Sequence, residues 1–553
     1  MIKHLALLLL SLPLMAATYY VSNAGSDGAN GTTTGTAWQT LAHVNAQTFQ
    51  PGDSVLLQTG GIWRETLIPP SSGSTGNPIK FGAYGTSTQP IIDGANLTTW
   101  TNSSGNVWYA SESGDPVLPF SGLTPFAEVN SIGAIVSPYQ YYFDGAALRV
   151  YVYSVGNPAS TVEIPTRNAA VSLSNRSFLS FTGIDIRGAT GNGGFNATTN
   201  NQHISITGCT VDLNVQDGVW FYDPSTSQDY GIVTGNIVRN NGSSGIDLNS
   251  DLHSYWTISN NTVYQNGIIG VGISTDYTAG IKLFTYSGLG GTGSIVSNNY
   301  VYNNGGPGAT TANGVGIWLD SDTGVSVTGN VSSGNSSSGI FLEKSTQCSA
   351  TYNLVLNNCN AGLQYCANFS LYGSGTSGGG ADAAYISQNN LVASNTIYSG
   401  GNAWWGLQTG VYTGFGLAIS RNNTVRDNIV LGSSHEVAFF DAGGNNNGTN
   451  GSGNVYLNNT FGTAAANFIN WVGTGDVSTY AAWEAAYCVS TGCSNSLQTT
   501  PSFTNTNALD LRPIRGSAAL TASSVGGIIG ALPEVGPSFL TGPTSTAGVV
   551  TVK

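Results

Sequence analysis

The chain is predicted to be all-β: a right-handed parallel β-helix, a solenoid, with an N-terminal cap and a small inserted β subdomain. Three observations predict it. A weak unit recurs from about residue 200, its spacing has a floor near 23 residues with variable excess, and only 8% of residues are charged while glycine numbers 75. A constant coil decorated by loops gives such spacing, whereas a sandwich of hairpins does not. Sparse charge with abundant Gly, Asn, Ser and Thr argues against strong helices.

Taken in order, residues 1–17 pair a charged start with the apolar run Leu5 to Leu14 and small residues at Ala16-Ala17. This reads as a secretory signal peptide, too short to span a bilayer, so a secreted protein, extracellular or periplasmic, is expected to begin near Thr18. Residues 18–97 read as the cap and first coils, with a short helix over Trp38 to Ala46 covering the open end of the stack. Residues 98–165 carry hairpin-like strands, with a turn at Asp144-Gly145, and form the inserted region. Residues 166–536 are the main β-helix with the catalytic face, including a weak helix at Trp483 to Tyr487. Residues 537–553, rich in Pro, Thr, Ser and Gly, read as a flexible tail.

Within the main stack each unit has a β-branched strand with an Asn, a second short strand, a polar turn and then Gly-apolar-x-apolar-x. The asparagines are Asn236, Asn261, Asn299, Asn330, Asn353, Asn395 and Asn428, with Cys209 at the equivalent first place. Stacked turn amides that bond neighbouring coils explain them, so they are given no catalytic role. The Gly motif gives GVWFY from Gly218, GIDLN from Gly245, GIKLF from Gly280, GIWLD from Gly316 and GIFLE from Gly339. Alternation turns the second and fourth residues inward. The third and fifth then form an outward strip of Trp220, Tyr222, Asp247, Asn249, Lys282, Phe284, Trp318, Asp320, Phe341 and Glu343, extended by Gln364. Excess residues before Gly280, before Gly316 and between Tyr372 and Gln388 are expected to wall a groove beside it.

Asp320 and Glu343 stand 23 residues apart at matching places in this motif. One coil has that length, so the two carboxylates are expected on adjacent rungs, roughly 4.8 Å apart along the stack. Retaining glycosidases hold their two carboxyls roughly 5 to 5.5 Å apart, inverting ones roughly 6.5 to 9.5 Å, so adjacent rungs favour retention. Like charges this close push two pKa values apart, separating a proton donor from a nucleophile. They also cost ~0.2 to 1 kcal/mol at a surface, a cost kept in a low-charge chain.

At AGIKLF, VGIWLD and GIFLE, in that order with Asn-bearing strands between, the sequence resembles β-helix glycoside hydrolases of the β-xylosidase type. The resemblance implies Asp320 as nucleophile and Glu343 as general acid/base. Ser321-Asp322 and Lys344-Ser345 stand where that family places an aromatic and a His-containing turn. Lys282, Trp318, Phe341, Asp247 and Lys344 are the expected substrate-binding residues, with Trp404 and Trp405 as sugar-stacking rings. Lys282 is expected to hold Asp320 ionised, and Lys344 beside Glu343 would lower that carboxyl unless turned elsewhere. No cofactor is required.

Two other classes fit parts of the pattern. Asp247, Asn249 and Asp251 form D-x-N-x-D, and with Lys282 they resemble calcium-dependent β-helix pectate lyases, in which Ca²⁺ acidifies a uronate proton and a Lys removes it. A non-catalytic glycan-binding solenoid would use the aromatic strip alone. In every case the expected partner is a carbohydrate and the expected state a monomer. A net charge of −13 with 15 basic residues argues against nucleic acid and an anionic membrane surface. Of six cysteines, Cys488 with Cys493 and a pair among Cys348, Cys359 and Cys366 are disulfide candidates, with Cys209 a buried thiol. None shows zinc-ligand spacing.

Overall fold

The computed structural model describes residues 16–268, 277–285, 290–306, 313–361, 366–373, 386–400, 405–411, 419–433, 435–440 and 453–462, with shorter stretches between 469 and 531. Among them three long sheets hold 13, 13 and 12 strands. The chain visits the three in rotation. Ser326–Thr328, Val331–Ser333 and Ile340–Glu343 make one coil, and Ser349–Thr351, Leu354–Leu356 and Ala367–Gly373 the next. Each strand pairs in parallel with its counterpart one coil away, which makes the architecture a parallel β-helix.

Alternation sets the interior. Ile281, Leu283, Ile317, Leu319, Ile340 and Leu342 are fully buried in one continuous core with Val296, Val327 and Val355 from the other sheets. The glycine that opens each motif is dictated by the neighbouring coil. A Cβ on Gly245 would lie 2.6 Å from the Gly280 carbonyl oxygen and 2.9 Å from Asn266 Nδ2.

The asparagines form a hydrogen-bonded ladder at one corner. Asn236, Asn261, Asn299, Asn330, Asn353, Asn395 and Asn428 each pass an Nδ2–H to the next Oδ1, at 2.9 to 3.0 Å, and the column ends at Asn459. Cys209 begins the column by donating its backbone N–H to Asn236. A second ladder, not foreseen, runs through Asn214, Asn241, Asn266, Asn304, Asn335, Asn358 and Asn368. Its signal was present: an Asn stands five residues after most first-ladder positions. Asn330 donates to Val296 O and Asn353 Oδ1 and accepts from the Asn299 side chain and backbone. Asn330→Ala is expected to cost about 3 kcal/mol by stranding these buried partners. Thermal unfolding checks it, and Asn330→Asp is expected to destabilise too, because an ionised carboxylate has no N–H to give.

At the N-terminus the helix is shorter than expected, Leu41–Asn45. Trp38 is instead held as extended backbone, donating to Tyr20 O and accepting from Ser22 N, and the Thr40 side chain caps the helix by accepting from His43 N. Tyr19 stacks on Trp38 at 4.8 Å over the end of the core. The strands Ala95–Leu97 and Val162–Pro165 pair antiparallel, and the chain between them builds a five-stranded sheet, with Gln140–Asp144 and Arg149–Tyr153 joined by the turn at Asp144. Its own core includes Trp100, Tyr141, Val150 and Ile164. Cys359 and Cys366 form a disulfide, while Cys209 and Cys348 are buried thiols. Cys488, Cys493, the helix at Trp483 to Tyr487 and the tail lie outside the described residues.

Candidate active site

Asp320 and Glu343 close the neighbouring strands Val315–Asp320 and Ile340–Glu343, and they are direct register partners. Lys282 lies one rung earlier, paired with Trp318, while Phe284 is the partner of Asp320. The lysine therefore reaches the carboxylate diagonally, its Nζ 3.8 Å from Asp320 Oδ2. On the other side Lys344 Nζ lies 3.0 Å from Asp320 Oδ1. Both strands end in left-handed backbone, φ 69° at Ser321 and 51° at Lys344. That turn carries the Lys344 ammonium across to Asp320, which sequence adjacency to Glu343 did not suggest. Ser321 Oγ donates to Asp320 Oδ1 at 3.2 Å.

Glu343 has a different neighbourhood. Its Oε2 accepts a hydrogen bond from Trp318 Nε1 at 3.1 Å. The Trp318 ring stacks on Phe341 at 5.4 Å and 18°, and Phe341 meets Tyr372 at 4.7 Å. Lys282 Nζ sits 4.1 Å above the Trp318 ring and donates to Tyr277 O at 3.2 Å. One carboxylate is thus set between two cations and the other against an indole N–H.

The outward strip is not an exposed surface, as the alternation pattern suggested. Trp318 is 1% and Asp320 6% exposed, and Phe341, Lys282 and Asp247 are also buried. The rings shield one another along the rungs, and Tyr277, 60% exposed, meets Trp318 at a tilt of 44°, 6.1 Å between centroids. Burial of that kind gives a recessed, low-dielectric site in which charge–charge contacts are stronger than in water.

Asp247 pairs in register with Trp220 on one side and Lys282 on the other. Burial pushes its carboxyl up to about 6, with Lys282 pulling it down and Asp320 pushing it up. Asp217, which the motif reading passed over, lies just before a motif glycine. It accepts from Ser244 N at 2.7 Å, and burial together with Asp247 raises its carboxyl well above the usual range. Asp247, Asn249 and Asp251 lie on one strand, Ile246–Ser254, so D-x-N-x-D spans about 13 Å end to end. Calcium needs its oxygens within about 2.6 Å, so this run cannot close around one ion, and the Lys282 ammonium occupies the next rung. Among the described residues no group of three or more His, Cys, Asp or Glu side chains is placed to hold a metal. Trp405 is fully buried, and Trp404 and Gln364 lie outside the described residues.

A model of the right handed beta helix region matches residues 149–289 and 198–376. No curated protein matches the chain. Among solved structures, a protein called XylC in complex with xylose is 13% identical over 88% of this chain and 87% of its own, with a TM-score of 0.61. A structure described as a glycoside hydrolase is 12% identical over 80% of this chain and 96% of its own, with a TM-score of 0.52. The pectate lyase Pel9A is 15% identical over 94% and 96%, with a TM-score of 0.44. No helix among the described residues is long and apolar enough to cross a membrane. Parallel pairing rung after rung, one interior core, the match to the beta helix region and the likeness to the first two structures together make the chain a right-handed parallel β-helix.

Proposed function

We propose that the protein is a secreted glycoside hydrolase acting on neutral, xylan-type oligosaccharides, with Asp320 as nucleophile and Glu343 as general acid/base in a retaining double displacement. The observation that carries this reading is the register pair Asp320–Glu343 with unlike surroundings. Lys344 and Lys282 orient the Asp320 carboxylate and offset its charge. In the first step Asp320 attacks the anomeric carbon while Glu343 passes its proton to the departing glycosidic oxygen. In the second, Glu343 takes a proton from water, which displaces Asp320 from the sugar. The Trp318 N–H fixes Glu343 Oε2 as an acceptor, assigning Oε1 to the travelling proton. XylC was solved with xylose, which supports a pentose unit, and the Cys359–Cys366 disulfide suits an oxidising compartment.

The test is product analysis with xylo-oligosaccharides, aryl xylosides and pectins. Expected are new reducing ends from the xylosides, released with retained anomeric configuration by proton NMR. An ultraviolet-absorbing unsaturated product that disappears with chelator would overturn this in favour of a lyase. No product from any substrate would leave a glycan-binding solenoid.

A further inference from the structure

We infer that His253 and Asp322 are a positioning pair for Asp320, a clasp beneath the sheet that contains Val315–Asp320, which fixes the turn by which the chain leaves that residue. Asp322 follows Asp320 by two, with the left-handed Ser321 between them. The reversal leaves Asp320 beside Lys344 and Glu343 and turns Asp322 away from them, fully buried. His253, also fully buried, lies near the end of Ile246–Ser254, two rungs back. The strand between them ends at Phe284, and the two side chains meet, His253 Nε2 to Asp322 Oδ1, at 3.0 Å.

The chemistry of the contacts sets the proton count. His253 Nδ1 lies 2.9 Å from Ser250 O, a carbonyl that only accepts, so Nδ1 carries a hydrogen. Nε2 faces a carboxylate, and a second hydrogen there makes the ring an imidazolium. Among the described residues no Lys or Arg forms an ion pair with Asp322, so His253 is its cation. The contact is 3.0 Å and both side chains are fully buried, so the two charges meet out of reach of water. The pair is therefore held by charge.

The surrounding backbone ties the clasp to the site. Thr285 donates its N–H to Asp320 O at 3.1 Å and its hydroxyl to Ser321 O at 2.6 Å. Gly291, at φ 100°, donates to His253 O, and a Cβ there would lie 2.7 Å from Val325 Cγ2 and 3.1 Å from Asp322 Oδ1. The other titratable groups acting on the pair are Asp229, which favours the His253 charge, Asp320, which raises Asp322, and Asp247 and Cys348, which feel the pair in turn. Burial opposes the imidazolium, yet Asp322, Ser250 O and Asp229 outweigh it and raise His253 above the ordinary value. A raised value means that the clasp's contribution is complete below about pH 6.5 and is lost as pH climbs through the folded-state value.

Two measurements test this. Protein labelled with ¹⁵N in its imidazole rings has five histidines, and His253→Gln assigns the signal. At pH 7 the His253 ring is expected to carry both protons, and Asp322→Asn is expected to lower its midpoint by at least one unit. The kinetic arm rests on the hydrolase reading: Asp322→Asn is expected to lower kcat about 10- to 100-fold with KM within about twofold, and to bring the alkaline limb of the pH profile down. The Asp320 carboxyl ¹³C resonance, assigned with Asp320→Asn, is expected to move in Asp322→Asn. That signal and the imidazole signal decide the inference even if the wild type hydrolyses no glycoside, a result that would count against the hydrolase reading alone. A His253 ring neutral at pH 7, or an unmoved Asp320 resonance in folded Asp322→Asn, overturns the inference.

Discussion

Asp320→Asn is expected to lower kcat for xyloside hydrolysis by roughly 10⁴-fold or more, the scale on which removing a covalent nucleophile acts. The substitution preserves shape. An amide oxygen still accepts from Lys344 and Ser321, which contact Oδ1, so circular dichroism and thermal unfolding are expected to show a folded protein. What disappears is the anionic oxygen that attacks the sugar. Glu343→Gln is expected to differ by substrate: an aryl glycoside with an acidic leaving group needs little protonation in the first step, so its glycosyl-enzyme accumulates and appears as a burst. An oligosaccharide, whose leaving group is a poor one, loses both steps. Full activity in either folded variant would remove the assignment, and Asp247, buried one rung beyond Lys282, would be the next carboxylate to examine.

The largest loss of stability is expected from Arg187→Met. Arg187 sits on the coil between two carboxylates, with Nε and Nη2 both 3.1 Å from Asp93 Oδ2 and Nη2 3.1 Å from Glu163 Oε2. Glu163 belongs to Val162–Pro165, the strand that returns from the inserted sheet, and it also binds Arg64 at 3.1 Å. The guanidinium is thus the ionic joint between insertion and coil. Removing one partner of a buried ionic cluster typically costs about 3 to 5 kcal/mol. The loss should depend on pH. Glu163 is pushed up to about 7, by burial first and by Asp93, against Arg187 and Arg64. A carboxyl raised in the folded state holds its proton more tightly there than when unfolded, so its stabilising share is present in acid and drains away as pH rises from about 4.3 to 7. Without Arg187 the carboxyl rises further, so the variant is expected to lose most at pH 8 and regain part of the difference at pH 5. Thermal unfolding at the two values checks this, and a variant as stable as wild type at pH 8 would show that the joint carries nothing.

The features legible in the sequence were those written at coil spacing. Asp320 and Glu343 are one coil apart in sequence, so their register followed from counting, and Ile317 and Leu342 faced inward because alternation leaves no other choice. Contacts that depend on where a side chain goes after a strand ends were not legible. Lys344 reaches Asp320 through a left-handed residue that no periodicity announces. His253 meets Asp322 across 69 positions and two rungs of the stack, beyond the ends of the motif strands. The strip was misread as open for a similar reason: period two tells which side of the sheet Trp318 occupies, but not that Phe341 and Tyr277 flank its ring. The second asparagine ladder was written plainly, five residues after the first, and was passed over because the turn containing it looked merely polar.

Those ladders also bear on chemical ageing. Asn241, Asn266 and Asn304 are each followed by glycine, the pairing most prone to deamidation, in which the next backbone nitrogen attacks the side-chain carbonyl and ammonia leaves. In each case both participants are engaged. The amide is held in the column, and the attacking nitrogen of Gly242, Gly267 or Gly305 donates instead to the carbonyl of the asparagine one coil back, at 2.8, 2.9 and 2.7 Å. The coil therefore shields its weakest bonds for as long as it stays wound, and any isoaspartate found at these positions dates from a time when the rung was open.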